Sequence, residues 1–248
     1  MTDPNSNPAH VQPTGMLLID KPLRRTSMDM CAHVRARLRR GGAPKRTRVG
    51  HGGTLDPLAT GLLVILTGKG TKLTERIMVG DKDYVAAVDL AHRSETDDAE
   101  GEREVVDIAR VPERADIEQA LGAFRGTIMQ TPPAYSAIKV DGKRAYALAR
   151  SGEPPTLKAR PVEVHAIAIE AYEFPELKLA ITCGKGTYIR SLARDIGIAL
   201  GTGGMLTALR RTRIGAFDVA SAVTPDQLPA EMTVDDLLPI PASLSEPS

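Results

Sequence analysis

The segment GHGGTLDPLATG, residues 50–61, sets one carboxylate, Asp56, between a glycine-rich turn and a proline, with His51 upstream. Glycines at 50, 52 and 53 admit backbone angles closed to other residues, or close approach of another molecule. Pro57 suits the first position of a helix, and the residue before a proline is held out of the helical region. Asp56 is therefore a fixed carboxylate at the mouth of a loop. Two uses stay open for it, a functional carboxylate and a cap for a following helix, and the preference of Asp for helix N-caps favours the second. Other chemistries lack their residues. A GxGxxG fingerprint from Gly50 needs glycine where Leu55 stands, and Gly68, Lys69 and Gly70 do not meet the phosphate-loop spacing. Histidines at 10, 33, 51, 92 and 165 are scattered without HExxH, so no metal site is expected. No GxSxG is present. What remains is Tyr84 in DKDY, and Tyr188 and Arg190 in CGKGTYIRSLARD.

Several elements must position these residues. Residues 1–14 read as a flexible tail, and MLLID (16–20) as a first strand. The stretch TSMDMCAHVRARLRR predicts a helix with Ser27 as N-cap, its apolar face carrying Met28, Cys31, Val34 and Leu38 and its other face arginines. GGAPKRTRVGHGG reads as a basic loop, LATGLLVIL as buried, and TKLTERIMV as a possible helical continuation. YVAAVDLA alternates like a strand, SETDDAEGE is an acidic turn, and ADIEQALGAF a short helix. After two prolines come a short strand, an Asp-Gly turn and a helix start. PVEVHAIAIEAYE and LKLAITC look like paired strands. GTYIRSLARDIGIALG is an amphipathic helix with Ile189, Leu192, Ile196 and Leu200 in one stripe, ended by Gly201. Strands and helices mix without strict alternation, which predicts an α+β fold around a mixed, largely antiparallel sheet.

The 248 residues are 42% hydrophobic but only 3% aromatic, so the core must be mostly aliphatic. Cys31 and Cys183 have no CxxC spacing, which fits a reducing cytoplasm. Neither a secretory signal nor a membrane span is visible. The net charge of +1 hides segregation. Lys21 to Arg48 holds ten basic residues and one acid; Lys185 to Arg213 holds six and one; Asp81 to Glu118 holds thirteen acids and five bases. No Lys or Arg follows Arg213. Such segregation makes either a basic face for phosphates or a set of solvated helix surfaces.

Seven blocks occur in the order seen in the TruB-type tRNA pseudouridine synthases: DKP (20–22), GHGGTLDPLATGLL (50–63), DKDYVA (81–86), PPAYSAIKVDGKRAY (132–146), ARPVEV (159–164), CGKGTYIRSLARDIG (183–197) and LRRTRIG (209–215). The chain resembles that family over roughly residues 16 to 220. The resemblance implies a pseudouridine synthase domain over 15–222, after the N-terminal tail and before a short, acidic, proline-containing tail over 223–248. It implies conversion of the tRNA T-loop uridine to pseudouridine without metal or cofactor. The N1–C1′ bond is broken, the base turned, and a bond to C5 formed. It further implies a cytoplasmic monomer that needs no protein partner and no membrane.

By the same resemblance Asp56 is the essential nucleophile, whether toward C1′ or C6 or as a base at C2′. Arg190 is the cation that pairs with it, and Tyr84 stacks on the target base. Tyr188 and Leu209 line the uracil pocket, with Lys21 supporting at a strand end. His51 fills the space of the flipped base. Lys139, Lys143, Arg144 and Arg150 lie in a loop that grips the T arm through phosphates. Two departures stand out. The family commonly carries a further C-terminal RNA-binding module, whereas this chain ends soon after the matching part, which leaves recognition to the T arm. Gly52 stands where Thr or Ala is expected, which should loosen the loop slightly.

Overall fold

A computed structural model describes residues 12–136, 138–140, 143–151 and 155–245. The chain divides into two compact units, Met1–Gly80 with Arg210–Ser248, and Asp81–Leu209.

The first unit begins with β1 (Gly15–Lys21), α1 (Ser27–Arg40), β2 (Val49–His51) and β3 (Ala59–Thr67), followed by α2 (Thr74–Val79). β1 and β3 are antiparallel, with Met16 opposite Leu66 and Lys21 opposite Gly61. β2 joins the far end of β3, with His51 opposite Ile65. The run GLLVIL is apolar throughout because both its faces are covered, as a short unbroken apolar run requires. Leu63 and Ile65 pack with Leu17, Ile19 and the α1 residues Met30, Cys31, Val34 and Leu38. Leu62, Val64 and Leu66 pack with Met16, Leu18, Ile77 and Ile214.

Helix α1 starts one residue earlier than its sequence suggests. Its N-cap is Thr26, in a reciprocal capping box with Asp29. Ser27 turns inward instead, and that inward turn bears on the site described below. Met28 is exposed, so the apolar stripe is carried by Met30, Cys31, Val34 and Leu38.

The second unit holds β4 (Lys82–Asp89), the short hairpin β5 (His92–Arg93) and β6 (Glu104–Val105), α3 (Arg114–Leu121), β7 (Gly126–Gln130), the small pair β8 (Lys139–Val140) and β9 (Lys143–Arg144), and α4 (Ala145–Arg150). Then come β10 (Arg160–Glu173), β11 (Glu176–Cys183), α5 (Ile189–Leu200) and β12 (Met205–Ile214), whose residues to Leu209 belong here. The strand order is β12, β4, β11, β10, β7. β4 with β11, β11 with β10 and β10 with β7 are all antiparallel. The fold is α+β with a largely antiparallel sheet. α5 buries Ile189, Leu192 and Ile196 and ends at Gly201 in a left-handed conformation, φ 67°. Strand β7 has no clear alternation, so its sequence, GTIMQ, carries no strand signal.

The chain returns to the first unit through the end of β12 and β13 (Phe217–Asp218). The following residues, expected as an acidic tail, pack against this unit. Val223 and Leu238 each exchange backbone hydrogen bonds with β1, at Leu18 and Asp20 and at Met16. Leu228 and Met232 enter the core beside α1, and a last turn of helix, α6 (Ala242–Ser245), follows. The acidic residues face out while Leu228 and Met232 between them face in, a pattern that charge alone conceals.

Candidate active site

Asp56 caps no helix. The expected helix after Pro57 is absent, and Asp56-Pro57-Leu58-Ala59 forms a β-turn closed by Ala59 N donating to the Asp56 carbonyl (3.0 Å), leading straight into β3. Proline at the second position pre-sets such a turn. The turn is held from two sides. The Ser27 hydroxyl accepts from Leu55 N (2.8 Å) and donates to Leu55 O (3.1 Å). The Arg211 guanidinium, 1% exposed, donates to the carbonyls of Leu62 (2.9 Å), Gly53 (3.0 Å) and Thr54 (3.4 Å). Arg24 N donates to Pro57 O at 2.8 Å. The Asp56 side chain stays half-buried.

Gly61, at φ 97°, needs to be glycine twice over, since a Cβ there would overlap the Arg211 carbonyl. Gly52 does not loosen the loop as expected. A Cβ there would run into the Ile77 side chain, and Gly52 N donates to Val64 O at 2.8 Å, so the position is closely packed.

His51 and Lys21 lie in the same unit as Asp56. His51 ends β2, half-buried, with Nδ1 buried and unpartnered. Burial, and then the nearby Arg211 charge, hold its pKa below the usual 6.5, which favours a neutral ring. Lys21 ends β1, fully buried, with Nζ donating to the carbonyls of Arg25 (2.6 Å) and Pro22 (3.0 Å). It ties down the chain that leads into α1.

The second unit carries Tyr84, Tyr188, Arg190 and Leu209. Tyr84 is buried on β4 opposite Ile181. Tyr188 precedes α5, and its backbone N–H and C=O are both met by the Gln130 side chain, at 2.8 and 3.1 Å. The Arg160 guanidinium lies over the Tyr188 ring, 5.5 Å from its centroid. Leu209 is half-buried on β12. Arg190 is not a surface residue of an amphipathic helix. It is 6% exposed, donates to the carbonyls of Thr96 and Tyr135, each at 3.0 Å, and faces Asp98 at 3.4 Å. One turn on, Arg194 meets Asp97 at 2.7 Å. The acidic stretch therefore docks onto α5 through two arginines. For Lys139, Lys143, Arg144 and Arg150 the side chains lie outside what is described, so their expected phosphate contacts lie outside it too.

Sequence reasoning missed Arg211 and Asp98. Arg211 had a signal: LRRTRI puts three arginines on one strand, and alternation forces at least one of them inward. Asp98 sits in an acidic run where nothing marks one carboxylate as the buried one.

The description "TruB family pseudouridylate synthase (N terminal domain)" matches residues 41–189, and "tRNA pseudouridylate synthase B C-terminal domain" matches residues 190–238. The tRNA pseudouridine synthase B of Thermobifida fusca is 46% identical over 228 residues, covering 89% of this chain and 76% of that one. That of Parabacteroides distasonis is 41% identical over 213 residues, covering 86% and 91%. Among solved structures, a chain of a Cbf5-Nop10-Gar1 complex is 28% identical with a TM-score of 0.66, covering 95% of this chain and 60% of that one. A chain of an H/ACA RNP bound to a substrate RNA containing 2'-deoxyuridine is 27% identical with a TM-score of 0.63, covering 89% and 52%. The chain thus spans between half and three fifths of those two solved chains. Among the described residues, no helix is long and apolar enough to cross a membrane.

Proposed function

The chain belongs to the TruB family of pseudouridylate synthases, and from that premise we propose that it is a tRNA pseudouridine synthase acting on the T-loop uridine. It works in the cytoplasm as a monomer, without a protein partner. Asp56 is the reacting carboxylate, Tyr84 the ring that meets the base, and Arg190 the fixed cation of the reaction. Tyr188 and Leu209 contribute apolar wall, and His51 fills the space the base leaves. The observation that carries this reading is the Asp56 turn, a carboxylate that caps no helix and whose loop is braced by the buried Arg211 and by Ser27. A braced carboxylate holds its geometry through the reaction, which is what positioned nucleophiles require. A neutral His51 suits insertion among stacked bases, since an unpaired buried charge would be costly there. Action without partners is favoured by the relatives at 41–46% identity, each named a tRNA pseudouridine synthase B.

The test is purified protein alone with unmodified tRNA, followed by mapping of pseudouridine. Formation at the T-loop uridine is expected. Asp56→Asn keeps the size of the side chain and removes its charge. Turnover should fall by at least about a thousandfold, roughly 4 kcal/mol of barrier, with tRNA affinity little changed. Comparable turnover in this variant would remove Asp56 from the chemistry.

A further inference from the structure

Within the first unit, a surface recess of about 540 Å³ lies against β2, lined by Arg35, Lys45, Arg46 and Arg48 together with Thr71 and Thr74; no carboxylate is among its lining residues. Other arginines of the same basic stretch are engaged on backbone carbonyls, Arg37 on Pro225 and Arg40 on Ala230. Arg35 is likewise committed, donating to Thr47 O (3.3 Å) and Val49 O (3.2 Å), and so forms a fixed charged wall. Lys45, Arg46 and Arg48 are exposed, and none of the three is ion-paired among the described residues. Three such cations around a concavity repel one another unless an anion sits between them.

We propose that this recess is a phosphate-binding subsite for the substrate RNA strand, separate from the residues assigned to chemistry and base capture. The proposal rests on the reading of the chain as a tRNA-modifying enzyme. The recess holds room for a nucleotide's sugar and phosphate together. The Thr71 and Thr74 hydroxyls beside the cations already donate to the carbonyls of Gly68 (2.9 Å) and Thr71 (2.8 Å), so the cations alone would hold the anion, and the opening faces solvent, as an approaching backbone requires. Gly50 lines the recess, and Asp56 follows six residues later. The chain between them spans at most about 20 Å, so a phosphate held here belongs to a nucleotide near the one being turned. The same strand, β2, borders the recess and ends in His51. Contacts of this kind fix register on the RNA and carry no base information.

The experiment compares the full chain with Lys45→Ala/Arg46→Ala/Arg48→Ala, and with Arg103→Ala/Lys158→Ala as a control of exposed charge elsewhere. Affinity for an unmodified tRNA transcript is measured across salt concentrations, and the single-turnover rate at saturating enzyme is recorded. The triple variant should bind at least about thirtyfold more weakly near 0.1 M salt, with a log–log salt slope shallower by roughly 2 to 3. Its saturated rate should stay within about twofold, and the control should change neither quantity. Charge-retaining Lys45→Arg/Arg46→Lys/Arg48→Lys should recover most of the slope. Unchanged affinity and slope in the triple variant, or an equal loss in the control, would overturn the subsite. If the triple variant fails to fold, acetylation of Lys45 in the unaltered protein gives the same reading. tRNA should protect Lys45, and inorganic phosphate at the same concentration should not; absent protection by tRNA, or equal protection by phosphate alone, overturns the assignment to RNA. An active protein with an indifferent recess refutes only the subsite. A protein that makes no pseudouridine yet loses tRNA affinity in the triple variant refutes only the enzymatic reading.

Discussion

Three carbonyl oxygens, those of Gly53, Thr54 and Leu62, take their hydrogen bonds from the single buried guanidinium of Arg211. Arg211→Met removes every one of these donors while keeping much of the volume, and leaves polar groups buried without partners. Such loss costs about 3–5 kcal/mol. The denaturant midpoint should fall accordingly, and turnover should drop with it because the Asp56 turn loses its brace. Near-normal midpoint and rate would show that the loop is held by Ser27 alone. His51 gives a pH-dependent expectation at the same scale. Its folded pKa lies below 6.5. As pH falls through that value, the unfolded chain takes up a proton that the folded chain refuses, so acid destabilises the protein. His51→Gln should therefore flatten the decline in melting temperature between about pH 7 and pH 5. A decline as steep as that of the unaltered protein would mean that His51 titrates normally when folded.

At the scale of elements, the docking of the acidic stretch onto α5 is electrostatic, and its pH dependence is the check. Burial pushes the Asp97 carboxyl above its usual 3.8, and the charges of Arg194 and then Arg190 pull against that. Above the unfolded pKa, the unfolded chain has shed a proton that folded Asp97 holds longer, so this group subtracts stability as pH rises through its folded pKa. Arg194→Gln removes the largest opposing charge and raises that pKa further. The variant should lose about 2 kcal/mol near neutral pH and clearly less near pH 4. An equal loss at both pH values would make the contact one of packing only. This docking also shows where the sequence was legible. The stripe of α5, the pairing of β10 with β11 and the turn character of the Asp56 loop follow from local periodicity and composition, and they appear as predicted. The contacts of Arg190 with Thr96, Asp98 and Tyr135 were not legible, because these residues are distant in sequence and nothing local selects them. The helix expected after Pro57 failed for a related reason. Proline at the second position of a β-turn and proline at the start of a helix look alike until β3 claims the residues that follow.

On the whole-molecule scale, the first unit is closed by residues far from its beginning. Leu228 is 7% exposed and Met232 is fully buried, and Val223 and Leu238 bond to both ends of β1. Removing residues 223–248 strips two core side chains, each worth about 1.5–3 kcal/mol, and leaves that edge of β1 open. The shortened chain should melt well below the full one, with a loss of at least about 3 kcal/mol. An unchanged melting curve would mean that the segment only lies on the surface. The second unit, Asp81–Leu209, is inserted in the sequence between the two parts of the first. Consequently the order of synthesis matters. Asp56 leaves the ribosome long before Arg211, which follows 155 residues later (211 − 56). At bacterial and eukaryotic elongation speeds that interval is roughly 8 to 30 s. During it the nascent turn has Ser27 but lacks its guanidinium. The carboxylate proposed to react is thus among the first features translated and among the last to be set in place, and a polypeptide released early carries Asp56 without the guanidinium that braces its turn.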